Sequence, residues 1–156
     1  MISVRDFQPS DLPAIRQLFY NTVTQVNCQD YSPEQIQVWS ASAQDDALWH
    51  NRWDDHCIYV AEDAGQIVGF AELVPPEEHI DCFYCHHQYQ GKGVGSQLLN
   101  HLETTARSLN LQRLWAEVSI TAKPFFLRKG FTVVRSQFVE RQGVQLQNFV
   151  MEKLLD

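Results

Sequence analysis

Two neighbouring stretches concentrate the residue types that could do chemistry. The first, HIDCFYCHH from His79 to His87, places histidine, aspartate and cysteine side by side. Imidazole titrates near neutrality and a carboxylate accepts protons, so His79 and Asp81, with Glu72 upstream in FAELV, are candidates for taking a proton from a nucleophile. The second, YQGKGVGSQLL from Tyr89 to Leu99, puts Gly91, Gly93 and Gly95 on alternate positions just ahead of a helical pattern. A glycine costs a helix about 1 kcal/mol against alanine, so three of them there need a reason. The first N–H groups of a helix have no partner within it and carry partial positive charge, and small residues let a phosphate oxygen reach several of them together. Lys92 and Ser96 add a charge and a hydroxyl beside those groups, and the chemistry is that of a main-chain phosphate site.

Several phosphate loops can be compared with this one. A Walker loop needs G-x-x-x-x-G-K-[ST], and Lys92 precedes two of the three glycines, so it fails. The dinucleotide fingerprint G-x-G-x-x-G fits Gly91 and Gly93 but meets Ser96 at its third place. Glu117 stands where a ribose-binding acid would, yet a dinucleotide sheet needs several βαβ units in succession. Cys82-Phe83-Tyr84-Cys85-His86 spells the C-x-x-C-H of haem attachment and suggests a metal knuckle. Phe-Tyr between the cysteines favours a strand, where residues three apart point to opposite faces, so no metal or haem site is expected. WHNRWDDH, Trp49 to His56, mixes aromatics and acids as a pocket for a cationic amine would, or else forms a capped surface helix.

The elements that must position these groups follow from periodicity. ISVRDF reads as a strand, and SDLPAIRQLFYNTVTQV as an amphipathic helix with Leu12, Ile15, Leu18, Phe19, Thr22 and Val26 on one stripe. SPEQIQVW opens a second helix with Ser32 as N-cap, Pro33 in the first turn and Gln35 completing a capping box; DDALWHNRW gives a short third. HCIYVAED and QIVGFAELV form a hairpin around Ala64-Gly65, and HIDCFYC is the next strand. After the glycines come a long helix, the strand LQRLWAEVSI, the helix AKPFFLRK stopped by Gly130, and a closing hairpin around Arg141-Gln142-Gly143. The order is β-α-α-α-β-β-β-α-β-α-β-β, a mixed sheet whose one parallel unit surrounds the glycines.

The chain has 156 residues, 44% hydrophobic and 20% charged, which suits one domain over residues 1–156 with an adequate core. Its net charge of −7 disfavours nucleic acid and anionic membrane as partners and favours a cationic one. No apolar run is long enough to span a membrane, no signal peptide opens the chain, and four cysteines read as reduced thiols of a cytoplasmic protein.

The spacing Q-x-x-G-x-G, met by Gln90, Gly93 and Gly95, resembles the pyrophosphate loop of the GNAT superfamily of acyl-CoA N-acyltransferases. IDCFYCHHQYQGKGVGSQLL is similar to that superfamily's strand, loop and helix, and SITAKPFFLRKGF to its next strand exit and helix, with an aromatic pair and then Gly-Phe. The element order matches too, so the resemblance covers nearly the whole chain. It implies an α/β mixed sheet of about seven strands, mostly antiparallel, with a splayed parallel pair and helices on both faces. It also implies acetyl-CoA as acyl donor and a primary amine acceptor on a small molecule, a lysine or a protein N-terminus. Backbone amides of Gly91, Lys92, Gly93, Val94, Gly95 and Ser96 would hold the pyrophosphate, and Gln90, which opens the motif, would belong to the same cofactor site. Phe83, Tyr84 and Cys85 would pair with the pantetheine arm, and the freed amide of Tyr84 or Cys85 would polarise the thioester carbonyl. Ser119 stands where relatives often carry a cofactor-touching asparagine. Many relatives pair through their C-terminal strands, which admits a homodimer.

Transfer to an amine needs the amine neutral, and Asp81, then Glu72, then His79 are the expected bases. On a regular strand His79, Asp81, Phe83 and Cys85 share one face. Many relatives protonate the leaving thiolate with a tyrosine at the second aromatic of the pair, but Phe126 has no proton to give. Either Ser119, Thr121, Tyr84 or a water does so, or the acid is dispensed with, or the protein binds acyl-CoA as a non-catalytic sensor. A nucleotide-binding oxidoreductase is the remaining alternative.

Overall fold

The computed structural model describes residues 1–50 and 56–156. Seven strands form one sheet: β1 (Ile2–Asp6), β2 (Cys57–Asp63), β3 (Gln66–Val74), β4 (His79–Cys85), β5 (Arg113–Ser119), β6 (Thr132–Arg141) and β7 (Val144–Leu154). Their spatial order is β1-β2-β3-β4-β5-β7-β6. Each neighbouring pair is antiparallel except β4 and β5. A dinucleotide sheet would need further parallel crossovers, so the oxidoreductase alternative loses its architecture.

Hairpin turns fall where glycine allows them. Ala64 and Gly65 both take positive φ (51° and 82°), the backbone of a two-residue turn that matches strand twist. Gln142 and Gly143 repeat this at 51° and 79° between β6 and β7.

Helices α1 (Leu12–Gln25), α2 (Pro33–Ala41) and α3 (Asp46–His50) precede β2. The expected capping box opens α2, with Ser32 Oγ accepting from the Gln35 N–H at 3.2 Å and Gln35 Oε1 from the Ser32 N–H at 2.8 Å. α1 buries Ile15, Leu18, Phe19 and Val23 against Val60, Phe70 and Cys82 on one face of the sheet. Val23, not the expected Val26, completes that stripe. Trp49, on α3, belongs to the same core: it is 2% exposed, its indole N–H donates to Ser42 O at 2.9 Å, and its ring meets Phe19 edge-on. The pocket reading of WHNRWDDH therefore fails at Trp49, and residues 51–55 of it lie outside the described residues.

The other face is covered by α4 (Val94–Ser108), whose Val94, Leu98, Leu99, Leu102 and Ala106 pack on Ala71, Leu73, Ile80, Leu114 and Ala116. Its first turn presses on β3 at Gly69, where a Cβ would come within 2.7 Å of Val94 Cγ1. α5 (Lys123–Arg128) follows β5, and Gly130 (φ 93°) ends it as expected. Among the described residues no helix is long and apolar enough to cross a membrane.

Candidate active site

The parallel pairing of β4 with β5 is short. Only His79↔Trp115 and Ile80↔Ala116 are partners, although β4 runs on to Cys85 and β5 to Ser119. Beyond those rungs the strands diverge, and a cavity of about 500 Å³ occupies the gap. Phe83, Cys85, Gly93, Gly95, Ser119 and Phe126 stand in its wall, so it reaches from the split to the start of α4.

The three glycines ahead of α4 have distinct physical reasons. Gly91 (φ 74°) and Gly93 (φ 89°) adopt backbone that other residues rarely take, and a Cβ on either would meet open space. Gly95 has ordinary φ, but a Cβ there would stand 3.0 Å from Cε1 and Cζ of Phe125. Gly93 is the N-cap of α4 and offers no side-chain acceptor. The first intrahelical bond at this end comes from Gln97 N–H to Gly93 O at 3.1 Å. The N–H groups of Val94, Gly95 and Ser96 are thus left without helical partners at the cavity wall.

Gln90 acts through its side chain. Its Nε2 donates to Cys85 O at 2.9 Å and to His86 O at 3.3 Å, tying the loop to the strand end. Lys92 is not in the cavity wall; its ammonium lies 5.2 Å from the centre of the Tyr89 ring, and Tyr89 donates to Asp63 Oδ2 at 3.1 Å.

At the split, orientation follows from antiparallel alternation. His86 N–H donates to Val68 O at 2.8 Å, so the N–H groups of Phe83 and Cys85 turn away from β3 toward the gap, while that of Tyr84 faces β3. Of the two amides expected to be free, Cys85 has the right direction and Tyr84 does not. Thr22, on α1, fixes Cys85 from the other side, its hydroxyl donating to Cys85 O at 2.8 Å. Burial pushes the Cys85 thiol up to about 12, so the sulfur is neutral at ordinary pH.

The proton-accepting candidates occupy different ground. Register passes from Glu72↔Cys82 to Leu73↔Ile80, which leaves Asp81 as the extra residue of a bulge. The bulge reverses the alternation: Ile80, Phe83 and Cys85 pack with the α4 core, Cys82 and Tyr84 with the α1 core. His79 and Asp81 therefore do not share a face with Phe83 and Cys85. Instead the bulge sets Asp81 beside Glu72, and carboxylate oxygens of both lie with Cys82 Sγ inside a 4.8 Å cluster. Glu72 is 2% exposed and hydrogen-bonded to His56 Nδ1. His79 Nδ1 is 3.9 Å from Asp81 Oδ1, and its Nε2 is 3.9 Å from Glu117 Oε1. Glu117, the would-be ribose acid, accepts from Gln137 Nε2 at 2.8 Å. None of Asp81, Glu72 and His79 is in the cavity wall. They form a polar band on the α1 side of the sheet.

Phe126 is 3% exposed, its ring edge-on to Phe83, Phe125 and Phe131 at 5.0–5.3 Å. Sequence reasoning missed His56, Thr22, Asn27, Arg128 and Lys129. The last four stand in the cavity wall. A helix-period reading puts Thr22 on the buried stripe but cannot tell that its hydroxyl reaches a strand sixty-three positions away.

A family model described as Acetyltransferase (GNAT) domain matches residues 27–153. The chain is 35% identical over 150 residues to YafP of Escherichia coli K12, described as an uncharacterised N-acetyltransferase, with 96% of this chain and 94% of that one covered. A GCN5-related N-acetyltransferase of Rhodopseudomonas palustris superposes with a TM-score of 0.93 at 32% identity, covering 98% and 95% of the two chains. The PaiA N-acetyltransferase of Thermoplasma acidophilum, solved with coenzyme A, shares the fold at a TM-score of 0.79 and 19% identity over 99% of each chain.

Proposed function

The chain belongs to the GNAT acetyltransferase family, and on that premise we propose that it transfers an acetyl group from acetyl-CoA to a primary amine by direct attack on the thioester. The observation that carries this reading is the β4–β5 split, open from the Cys85 N–H to the unpartnered N–H groups of α4. A thioester laid along the gap would meet a main-chain donor at its carbonyl, and a diphosphate would meet the helix start and its positive end.

In this reading the amides of Gly91, Gly93, Val94, Gly95 and Ser96 hold the pyrophosphate, the Lys92 N–H being spent on Tyr89 O at 3.3 Å, and Gln90 holds the loop in shape. Phe83 and Cys85 pair with the pantetheine arm, with Tyr84 supporting them from the β3 side, and Ser119 and Phe126 border the thioester. Lys92 contributes long-range charge from outside the wall.

The amine must shed a proton before or during attack. Asp81, with the Glu72 carboxylate near it on one side and His79 Nδ1 3.9 Å away on the other, is the acceptor we assign, reached through water because the band lies outside the cavity wall. Its negative charge favours a cationic acceptor. Attack forms the C–N bond, the tetrahedral intermediate collapses with cleavage of C–S, and coenzyme A leaves as thiolate. In-line placement of the two reactants supplies much of the rate.

Isothermal titration with acetyl-CoA and a thiol-release assay over an amine panel test this reading. Binding with amine-dependent release of free coenzyme A is expected; absence of binding at millimolar cofactor would remove it. A non-catalytic acyl-CoA sensor is the second reading, favoured by Phe126, and binding without release on any amine would select it.

A further inference from the structure

Ser119 has a hydrogen-bonding pattern that the cofactor cradle does not account for. Its Oγ accepts from the Ala122 N–H at 3.0 Å and from Asn27 Nδ2 at 3.4 Å. A hydroxyl has two acceptor sites and one proton, so both acceptor sites are engaged and the proton is left to give. No described residue receives it, and Ser119 stands in the cavity wall at the open end of β5. Two positions on, Thr121 Oγ1 is buried without a hydrogen-bond partner in the same wall. A buried hydroxyl with nothing to bond is costly, so this corner is built for a ligand atom that accepts.

The geometry assigns Ser119 as the hydrogen-bond donor to the departing sulfur of coenzyme A, with Asn27 as its positioning residue. The inference rests on the acetyl transfer proposed above and adds how a chain with phenylalanine at position 126 handles the leaving group. Two donors pointed at Oγ draw electron density from it and strengthen its own O–H as a donor. Asn27 is 5% exposed and lies just beyond α1, so its amide fixes the direction in which the Ser119 proton points.

The step balances without proton transfer from serine. The amine nitrogen forms the C–N bond, and its proton goes to the carboxylate band through water. The C–S bond breaks with its electron pair on sulfur, and that charge is held by the Ser119 O–H as it develops. The thiolate then departs and equilibrates with solvent. A serine hydroxyl is a far weaker acid than a thiol, so a hydrogen bond, not ionisation, is what it can supply.

Titration calorimetry with coenzyme A and steady-state thiol release, on wild type and variants of the full chain, test this. Ser119→Ala should lower kcat by about ten- to a hundredfold while the Kd for coenzyme A moves less than threefold, because the interaction is made mainly as charge builds on sulfur. Ser119→Thr, which keeps the hydroxyl, should recover most of the loss. Asn27→Ala should lower kcat in the wild-type background and add nothing in Ser119→Ala, a non-additivity that a purely structural role for Asn27 would not produce. Ser119→Ala with kcat within twofold of wild type overturns the assignment, as does a change in coenzyme A affinity alone. Loss of kcat in Thr121→Val but not in Ser119→Ala moves the role to Thr121 and overturns it too. Those results leave acetyl transfer standing. A wild type that binds acetyl-CoA and turns over no amine overturns both.

Discussion

The rings of His79 and Trp115 lie 4.0 Å apart, 22° from parallel, on the first of the two rungs that join β4 to β5. Trp115 also donates its indole N–H to Glu77 O at 2.9 Å, and its own N–H bonds Glu78 O at 3.1 Å. The strands thus meet at a stacked, hydrogen-bonded hinge and diverge above it. Trp115→Ala should cost about 2 kcal/mol, less than a fully buried aromatic because the ring is half-exposed. It should also lower affinity for acetyl-CoA, since the gap is held open from this point. Urea denaturation and calorimetry check both, and a variant unchanged in midpoint and affinity would contradict the hinge.

Gly95 separates space from backbone freedom. Its φ is ordinary, so Gly95→Ala adds only a methyl group 3.0 Å from the Phe125 ring. The ring must give way or α4 must shift, at a cost of about 1–3 kcal/mol. Coenzyme A affinity should fall about tenfold or more as the helix start moves, and Phe125→Leu in the same chain should recover part of it. Full affinity in Gly95→Ala alone would mean that the contact is slack.

How much of this was legible in the residues differs from one element to the next. Ser32, Pro33 and Gln35 announce the start of α2 because a capping box is local, and the Gln142-Gly143 turn is equally self-contained. The parallel unit was also readable, since one strand, the glycine loop and one helix follow in order. The face of Asp81 was not. A bulge arises from register between β3 and β4, and nothing in HIDCFYC marks which residue will be the extra one. One inserted position sets Asp81 next to Glu72 and turns Phe83 the other way. Asn27 and Thr22 were invisible for a related reason: their partners, Ser119 and Cys85, are brought to them only by the packing of α1 across the split.

Asp11 links the base of α1 to pH. Arg5 donates to its two oxygens at 2.9 Å each, and Gln8 N–H adds a bond at 2.8 Å. The Arg5 guanidinium holds the Asp11 carboxyl below its ordinary value of 3.8. A carboxyl depressed on folding adds stability that is present above the unfolded value and is lost as pH falls through the folded one. Asp11→Asn should therefore cost about 1–2 kcal/mol near neutrality, and the gap from wild type should close as pH drops below 3.8. Thermal melts at several pH values read this directly. A gap that stayed constant into acid would show that charge is not its source.

Cys85 and Cys28 should separate by reactivity. Cys28 is exposed, whereas burial raises the Cys85 thiol to about 12. Thiolate is the attacking species, so a disulfide reagent at pH 8 should modify Cys28 quickly and leave Cys85 unmodified in the folded chain. Mass mapping after a short exposure checks it; early labelling of Cys85 would show the split to be far more open to solvent than its packing implies.

Tyr31 offers the sharpest test of how the site is held. Its hydroxyl donates to Gln147 O at 2.6 Å and accepts from the Ile120 N–H at 3.0 Å. One oxygen thereby joins the segment after α1 to β7 and to the residue between Ser119 and Thr121. Burial raises the phenol above its ordinary value, so it stays protonated and keeps both bonds across the working range. Tyr31→Phe preserves the ring, which lies edge-on to Trp39 at 5.2 Å, and removes only the oxygen. That strands a carbonyl and an amide in a half-buried setting, for about 1–3 kcal/mol. The turn bearing Ser119 and Thr121 then loosens, so kcat should fall several-fold while coenzyme A affinity, set mainly at α4, changes little. Denaturation midpoints and the kcat-against-Kd split measure the two effects. A variant that loses stability but keeps full kcat would show that the turn holds its shape without Tyr31.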